Sequence, residues 1–205
     1  MNSQALVLGA GGHARAICSA LHALSIKIVG CFDSTYKNGQ IEYIKYTNLI
    51  GDENRIYDYA KETYEVYVAV GDNAKRKYAV EQLLSKNYSL PKLLHPECRV
   101  EKDCVIGRAS VICLGALIAS EVVIGDGVII NTGSVVDHES VIGDYSHIAP
   151  RVVLAGRVKV GDEVFIGMGA CIAQGIKIGS KSIIGAGSII LKDVPEGSKV
   201  VGIYH

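Results

Sequence analysis

The sequence predicts a small parallel α/β domain, Rossmann-like, over residues 1–91, followed by an all-β parallel β-helix over residues 92–205. Three observations carry this. From Leu94 to Ile190 every sixth residue is aliphatic, without one insertion. Glycine follows that aliphatic anchor at Gly107, Gly125, Gly143, Gly161 and Gly179, a spacing of eighteen. Ahead of the repeats, short apolar runs alternate with helical patterns, as βαβ units do.

A helix repeats near 3.6 residues and a strand at two, so a period of six belongs to a coil of short strands. β-branched residues at this density suit extended backbone. Three hexads make one triangular coil, and residue n stacks on n−18 and n+18 about 4.8 Å away. The anchors fill the prism, each contributing about 1.5–3 kcal/mol. The position four after the anchor is small or β-branched, as at Ser110, Ala116, Val122, Ser134, Ser146 and Ser182. The period leaves the hand of the coil open, and parallel crossovers are normally right-handed.

In the first domain, QALVLG (4–9) reads as a buried strand and ARAICSALHAL as the helix after it. KIVGCFD (27–33) is a second strand ending at Asp33. Residues 34–55 are polar and tyrosine-rich, a loop with a short strand. RIYDYAKETY (55–64) reads as helix and YEVYVAVG (64–71) as a third strand. NAKRKYAVEQLLSKN (73–87) is a helix with Tyr78, Val80, Leu83 and Leu84 on its apolar face.

Gly9, Gly11 and Ala14 fit the G-x-G-x-x-G/A turn, with an acid, Asp33, closing the next strand. Such glycines let backbone approach a phosphate at a helix N-terminus. The same residues also make a tight strand–helix turn with no ligand. A full dinucleotide fold needs two such halves and the domain has room for one, which favours a nucleotide carried by the substrate over a bound NAD. Ligands of open parallel sheets sit at the carboxyl ends of strands. Asn73 and Arg76 therefore stand as candidates for holding phosphate or ribose, against Arg76 as an ordinary solvated helix residue.

Lys plus Arg and Asp plus Glu each number 21, for a net charge of zero and no basic run. That argues against nucleic acid and anionic membrane as partners. The six cysteines show neither CxxC nor zinc spacing, and Cys98 and Cys104 sit at small-residue positions of the repeat. No signal peptide or membrane-length apolar run is read, so the expected compartment is the cytoplasm.

His138 lies in Val135-Val136-Asp137-His138-Glu139-Ser140, and its stacking neighbours are Ser120 and Gly156. An imidazole between two carboxylates, with small residues above and below, has space and partners to fix its tautomer. A surface histidine in an acidic turn is the plain alternative. His147 falls nine residues on, half a coil, and is placed to face the same cleft or to pack. His95, at the entry, reads as structural.

These segments resemble the hexapeptide-repeat sugar acetyltransferases of the PglD/NeuD type. The resemblance rests on Gly9-Ala10-Gly11-Gly12-His13, on Ala69-Val70-Gly71-Asp72-Asn73 with Arg76, and on Ile130-Asn131-Thr132-Gly133-Ser134-Val135-Val136-Asp137-His138-Glu139 through Ile142-Gly143-Asp144-Tyr145-Ser146-His147-Ile148. It implies a left-handed β-helix, a homotrimer with active sites between subunits, and acetyl-CoA as co-substrate without a metal. It implies His138 as the base and Glu139 as its orienting partner. Asn131 is implied near the acceptor sugar, and His147, Gly156 and Met168 along coenzyme A. Gly11, Gly12 and His13 match the turn that holds a sugar nucleotide, and Asp33 the acid near its base. The close relatives carry two acids where this chain has Asp33-Ser34, and a Gly-x-Pro-Ala end where it has Gly202-Ile203-Tyr204-His205.

The expected activity is N-acetylation of a nucleotide-linked amino-deoxy sugar, of the UDP-4-amino-sugar type, in bacterial glycan biosynthesis. Sialic-acid-type O-acetylation is the alternative, because the same base serves a hydroxyl. An NAD-dependent oxidoreductase and a carbonic-anhydrase-type zinc enzyme are remoter, the second because it needs three well-placed histidines. A non-enzymatic scaffold leaves the Asp137-His138-Glu139 cluster without a role.

Overall fold

The computed structural model describes residues 4–37 and 42–205. The chain divides into two compact units, Met1–Pro96 and Glu97–His205. The first holds a five-stranded sheet in the order β3-β4-β2-β1-β5. Its elements in sequence are β1 (Gln4–Leu8), α1 (Gly12–Ala23), β2 (Lys27–Phe32), β3 (Glu42–Ile44), β4 (Thr47–Gly51), a 3-10 turn (Glu53–Asp58), β5 (Tyr64–Val68) and α2 (Asn73–Ser85). Strand β1 runs parallel to β2 and β5, and β4 parallel to β2. Strand β3 is an antiparallel edge.

Ala5, Leu6 and Val7 are fully buried, as a strand covered on both faces must be. Helix α1 buries Ala14, Ile17, Cys18 and Leu21, a 3.6-period stripe. Two sequence expectations change here. The helix expected over 55–64 is a short 3-10 turn that starts earlier, because the Asp52 carboxylate accepts from the Asn54 and Arg55 amides. It stops at Tyr59, whose backbone is extended and whose ring packs edge-on against Phe32 and Tyr64. In α2 the buried face is Arg76, Val80 and Leu83, and Tyr78 is 67% exposed.

The second unit is a hexapeptide-repeat β-helix of two-residue parallel strands. Leu117 pairs with Arg99 below and Val135 above, and the chain of partners continues through Val153, Cys171 and Ile189. Two further columns run from Val105 through Val123, Val141 and Lys159 to Lys177, and from Val111 through Ile129, His147 and Phe165 to Ile183. Every partner lies eighteen residues away, the coil length the glycines predict. The spacing shortens at the end, where Ile183 pairs with Lys199 and Ile189 with Ile203. Anchors from Ile112 to Ile190 are buried, whereas Val100 and Ile106 are half-buried.

The corners obey two rules. Every sixth residue from Ala109 to Gly187 has φ between 56° and 76°. Glu121, Glu139, Tyr145, Arg151, Arg157, Glu163 and Lys181 accept this left-handed conformation without being glycine, a strain of about 1–2 kcal/mol each. A backbone bond to the coil below offsets it: Glu139 N donates to Ser120 O at 3.0 Å and Arg157 N to His138 O at 2.8 Å. The second rule concerns space. The Gly107–Gly179 column has no positive φ, yet a Cβ at Gly143 would collide with Gly161 C and with Asp162 N and Oδ1. At this corner each aspartate reaches down a coil, Asp144 Oδ1 accepting from Asp126 N and Asp162 Oδ1 from Asp144 N, both at 2.8 Å.

Buried serines close the remaining backbone groups. Ser146 Oγ donates to Gly161 O at 2.7 Å and accepts from Val164 N at 3.0 Å. We expect Gly143→Ala to cost about 1–3 kcal/mol by overpacking. Gly187→Asn, at a left-handed corner with open space, should stay within about 1 kcal/mol, because Asn visits that conformation readily. Chemical denaturation of the two variants checks the contrast.

Candidate active site

Each unit carries a polar constellation. In the first, α1 opens at Gly11 with no side-chain cap and no acid in its first turn. The helix dipole favours an anion at this end. Gly9 is constrained twice, by φ of 113° and by contact with Ala69, where a Cβ would meet the carbonyl at 2.7 Å. Gly11 and Gly12 have nothing within 4 Å of a built Cβ, so their surface is open. His13 sits half-buried in the first turn of α1.

Asp33 occupies the carboxyl end of β2. Its Oδ2 accepts from Ala10 N at 2.8 Å, and its Oδ1 from Thr35 N at 2.9 Å and Thr35 Oγ1 at 2.8 Å. Burial pushes this carboxyl up, but those three donors outweigh it and hold it below the usual carboxylate range. Asp33 therefore braces the glycine turn. A cavity of about 580 Å³ opens beside it, lined by Leu8, Gly9, Glu53, Val70, Lys75 and Tyr78 among others. Glu53, Lys75 and Tyr78 escaped the sequence reading, since nothing in their spacing links them to the glycine turn.

Arg76 is 1% exposed, so it is neither a solvated helix residue nor an open ligand contact. It shares the core face of α2 with Val80 and Leu83. Its guanidinium donates to Val70 O at 3.2 Å, Gly71 O at 2.9 Å and Asn73 Oδ1 at 2.9 Å. Burial lowers its pKa to about 10. Arg76 fixes the 70–73 turn and, with it, Asn73. Arg76→Leu keeps the apolar packing but removes the donors from two carbonyls, and we expect a loss of about 1–3 kcal/mol, measured by denaturant titration.

In the second unit His138 stands at a corner. Its backbone N donates to Asp137 Oδ1 at 2.8 Å, and its Nδ1 lies 2.8 Å from Glu139 Oε2. A carboxylate only accepts, so Nδ1 carries the proton and Nε2 the lone pair. Nε2 lies over Gly156, where any Cβ would strike the imidazole. Gly156 is thus the space the ring needs. The arrangement can take a proton at Nε2 while Glu139 stabilises the resulting cation.

The second pair is Asn131 and His147. Asn131 Oδ1 accepts from Thr132 N at 2.8 Å, which orients the amide, and Nδ2 lies 3.2 Å from His147 Nε2. An amide nitrogen only donates, so His147 accepts and holds its proton on Nδ1. Its ring packs edge-on against Phe165 at 5.3 Å. His147 sits on a strand and His138 at a corner, in different columns of the coil. Met168 is 62% exposed at another corner. Among the described residues, no group of three or more His, Cys, Asp or Glu is placed to hold a metal ion, and no helix is long and apolar enough to cross a membrane.

A repeat-built prism with a histidine–glutamate corner, preceded by a nucleotide-type sheet, defines a hexapeptide-repeat transferase. The comparisons narrow the class. The model of the PglD N-terminal domain matches residues 4–83, and that of bacterial transferase hexapeptides (six repeats) matches residues 121–156 and 157–192. No curated protein matches. The acetyltransferase domain of PglB from Neisseria gonorrhoeae FA1090 is 33% identical, with 98% of this chain and 97% of that chain covered and a TM-score of 0.91. The same domain in complex with acetyl coenzyme A gives a TM-score of 0.92. A mutant perosamine N-acetyltransferase from Caulobacter crescentus, in complex with CoA and GDP-perosamine, is 29% identical over 98% of this chain and 94% of that one, with a TM-score of 0.92. The chain belongs to the PglD-type sugar acetyltransferases and is an acetyl-CoA-dependent enzyme, so the NAD-oxidoreductase reading of the glycine turn falls away.

Proposed function

We propose that this enzyme moves the acetyl group of acetyl-CoA onto the amino group of a nucleotide-linked amino-deoxy sugar, of the UDP-4-amino-sugar type, in bacterial glycan biosynthesis. It works in the cytoplasm as a homotrimer with active sites between subunits. The observation that carries the reading is the 2.8 Å contact of His138 Nδ1 with Glu139 Oε2, which leaves Nε2 as the basic atom over Gly156. The amine attacks the thioester carbonyl, a C–N bond forms, and the C–S bond breaks as coenzyme A leaves. His138 Nε2 takes the amine proton and can return it to the thiolate. The acceptor complex of perosamine N-acetyltransferase supports an amine on a nucleotide sugar. UDP as the carrier is what the resemblance to the PglD type implies, whereas the nucleotide sugar bound in the perosamine N-acetyltransferase complex is GDP-perosamine.

Asn131 lies near the acceptor, while His147, Gly156 and Met168 line the path of coenzyme A. The nucleotide seats on Gly11, Gly12 and His13, with its base toward the Asp33 cavity and Asn73 beside the phosphates. General-base help is worth about 10²–10⁴-fold. His138→Ala should therefore lower kcat by about two to four decades with both substrates saturating, while melting temperature and sedimentation as a trimer hold. Glu139→Ala should lose less, and His147→Ala should act mainly on the KM for acetyl-CoA. A coenzyme A release assay over UDP-amino sugars, GDP-amino sugars and sialic acids reads all three. A larger kcat loss in His147→Ala than in His138→Ala would reverse the roles.

The open surface at Gly11 gives an independent check on the first unit. Gly11→Val fits sterically in the free protein, with φ of −74° and nothing within 4 Å of the Cβ. Its branches should block the phosphates and raise the KM for the nucleotide sugar, leaving that for acetyl-CoA within about twofold. Equal movement of both constants would remove the nucleotide from this turn.

A further inference from the structure

We infer that Arg157 is a positioning residue for catalysis, acting through Glu139 from the next coil of the solenoid. The inference rests on the proposed role of His138 as base. Glu139 and Arg157 are eighteen residues apart, so they occupy the same corner on successive coils. Both hold the left-handed conformation, with φ of 56° and 61°. Residues stacked in this way project side by side, and opposite charges so placed attract. Arg157 Nε lies 3.6 Å from Glu139 Oε2, the same oxygen that lies 2.8 Å from His138 Nδ1. The Arg157 amide also donates to His138 O at 2.8 Å. One residue therefore touches the dyad twice, by its backbone at the histidine and by its charge at the glutamate.

The neighbours explain why a cation is needed. Below Glu139 in the column is Glu121, also left-handed with φ of 59°, and stacked like charges repel. Above Arg157 is Gly175, with no side chain to compete for the guanidinium. The other charged groups around the corner are Asp137, which accepts from the His138 amide, and Asp103, which accepts from Ser120 Oγ one coil below. Arg157 is thus the single cation of the run Glu121, Glu139, Arg157, Gly175. Glu139 is 47% exposed, so without that cation its carboxylate is free to swing into solvent, away from Glu121. The imidazole would then lose the partner that keeps the proton on Nδ1, and Nε2 would no longer be held as the acceptor.

The test is a double-mutant cycle with both substrates saturating. Arg157→Gln should lower kcat about 5- to 30-fold and change either KM by less than about twofold, with an unshifted melting temperature. Arg157→Lys should recover most of kcat. In a Glu139→Gln background, Arg157→Gln should cost nothing further, since residues that act through one another are not additive. An unchanged kcat in Arg157→Gln, a loss that persists in the Glu139→Gln background, or a loss confined to the KM for acetyl-CoA would overturn the inference. His138→Ala in the same assay separates the two failures. If His138→Ala keeps its kcat, the base assignment itself is wrong. If it loses activity while Arg157→Gln does not, only the role of Arg157 fails.

Discussion

The structure of the second unit depends on one constraint: a corner every six residues, held in the left-handed conformation and hydrogen-bonded to the coil below. The corner sets the length of each face, and three faces set the coil at eighteen residues. Non-glycine corners carry strain, yet each of those from Glu139 to Lys181 donates its amide to the preceding coil, as Arg157 does to His138. The strain is local and the compensation comes from stacking, so no corner is stable without its neighbours. The site inherits this geometry. Glu139 is a corner residue, His138 precedes it, and the next coil presents Gly156 and Arg157 directly above.

The two glycine roles in the solenoid have different physical causes. Corner glycines answer a dihedral demand, which Glu, Arg, Lys or Tyr also meet at a cost. Glycines of the Gly107–Gly179 column answer a demand for volume, because aspartate carboxylates and backbone from the next coil fill the place of a Cβ. Gly156 belongs to the second kind, except that an imidazole takes the room. A packing requirement thus becomes a functional one at a single coil.

In the first unit, polar side chains that look like ligand contacts serve the backbone. Asp33 has one oxygen engaged by Ala10 of the glycine turn and the other by Thr35, and Arg76 has its guanidinium wrapped by the 70–73 turn. Asp33 braces the turn that carries Gly11 and Gly12, and Arg76 braces the turn that carries Asn73. Rigid support behind an exposed glycine turn suits recognition of phosphate by amides, which needs fixed geometry more than side-chain charge.

The sequence by itself determined the solenoid, its coil length and its inward anchors, though not its hand, because a period of six repeated through the chain turns the same apolar position inward on every face. It also determined the histidine–glutamate corner, since His138 and Glu139 are adjacent and Gly156 lies one coil on. Arg157 was legible by the same arithmetic, as a charge opposite to Glu139 at a distance of eighteen, but no motif drew attention to it. Only the tertiary structure decided the fate of Arg76, because helical period places a residue on a face and packing decides whether the face is core. It alone decided the length of the 53–58 turn, where a capping aspartate and an aromatic contact overrode helical propensity. It alone assembled Glu53, Lys75 and Tyr78 beside Gly9, because residues distant in the chain meet only where the sheet order brings them together.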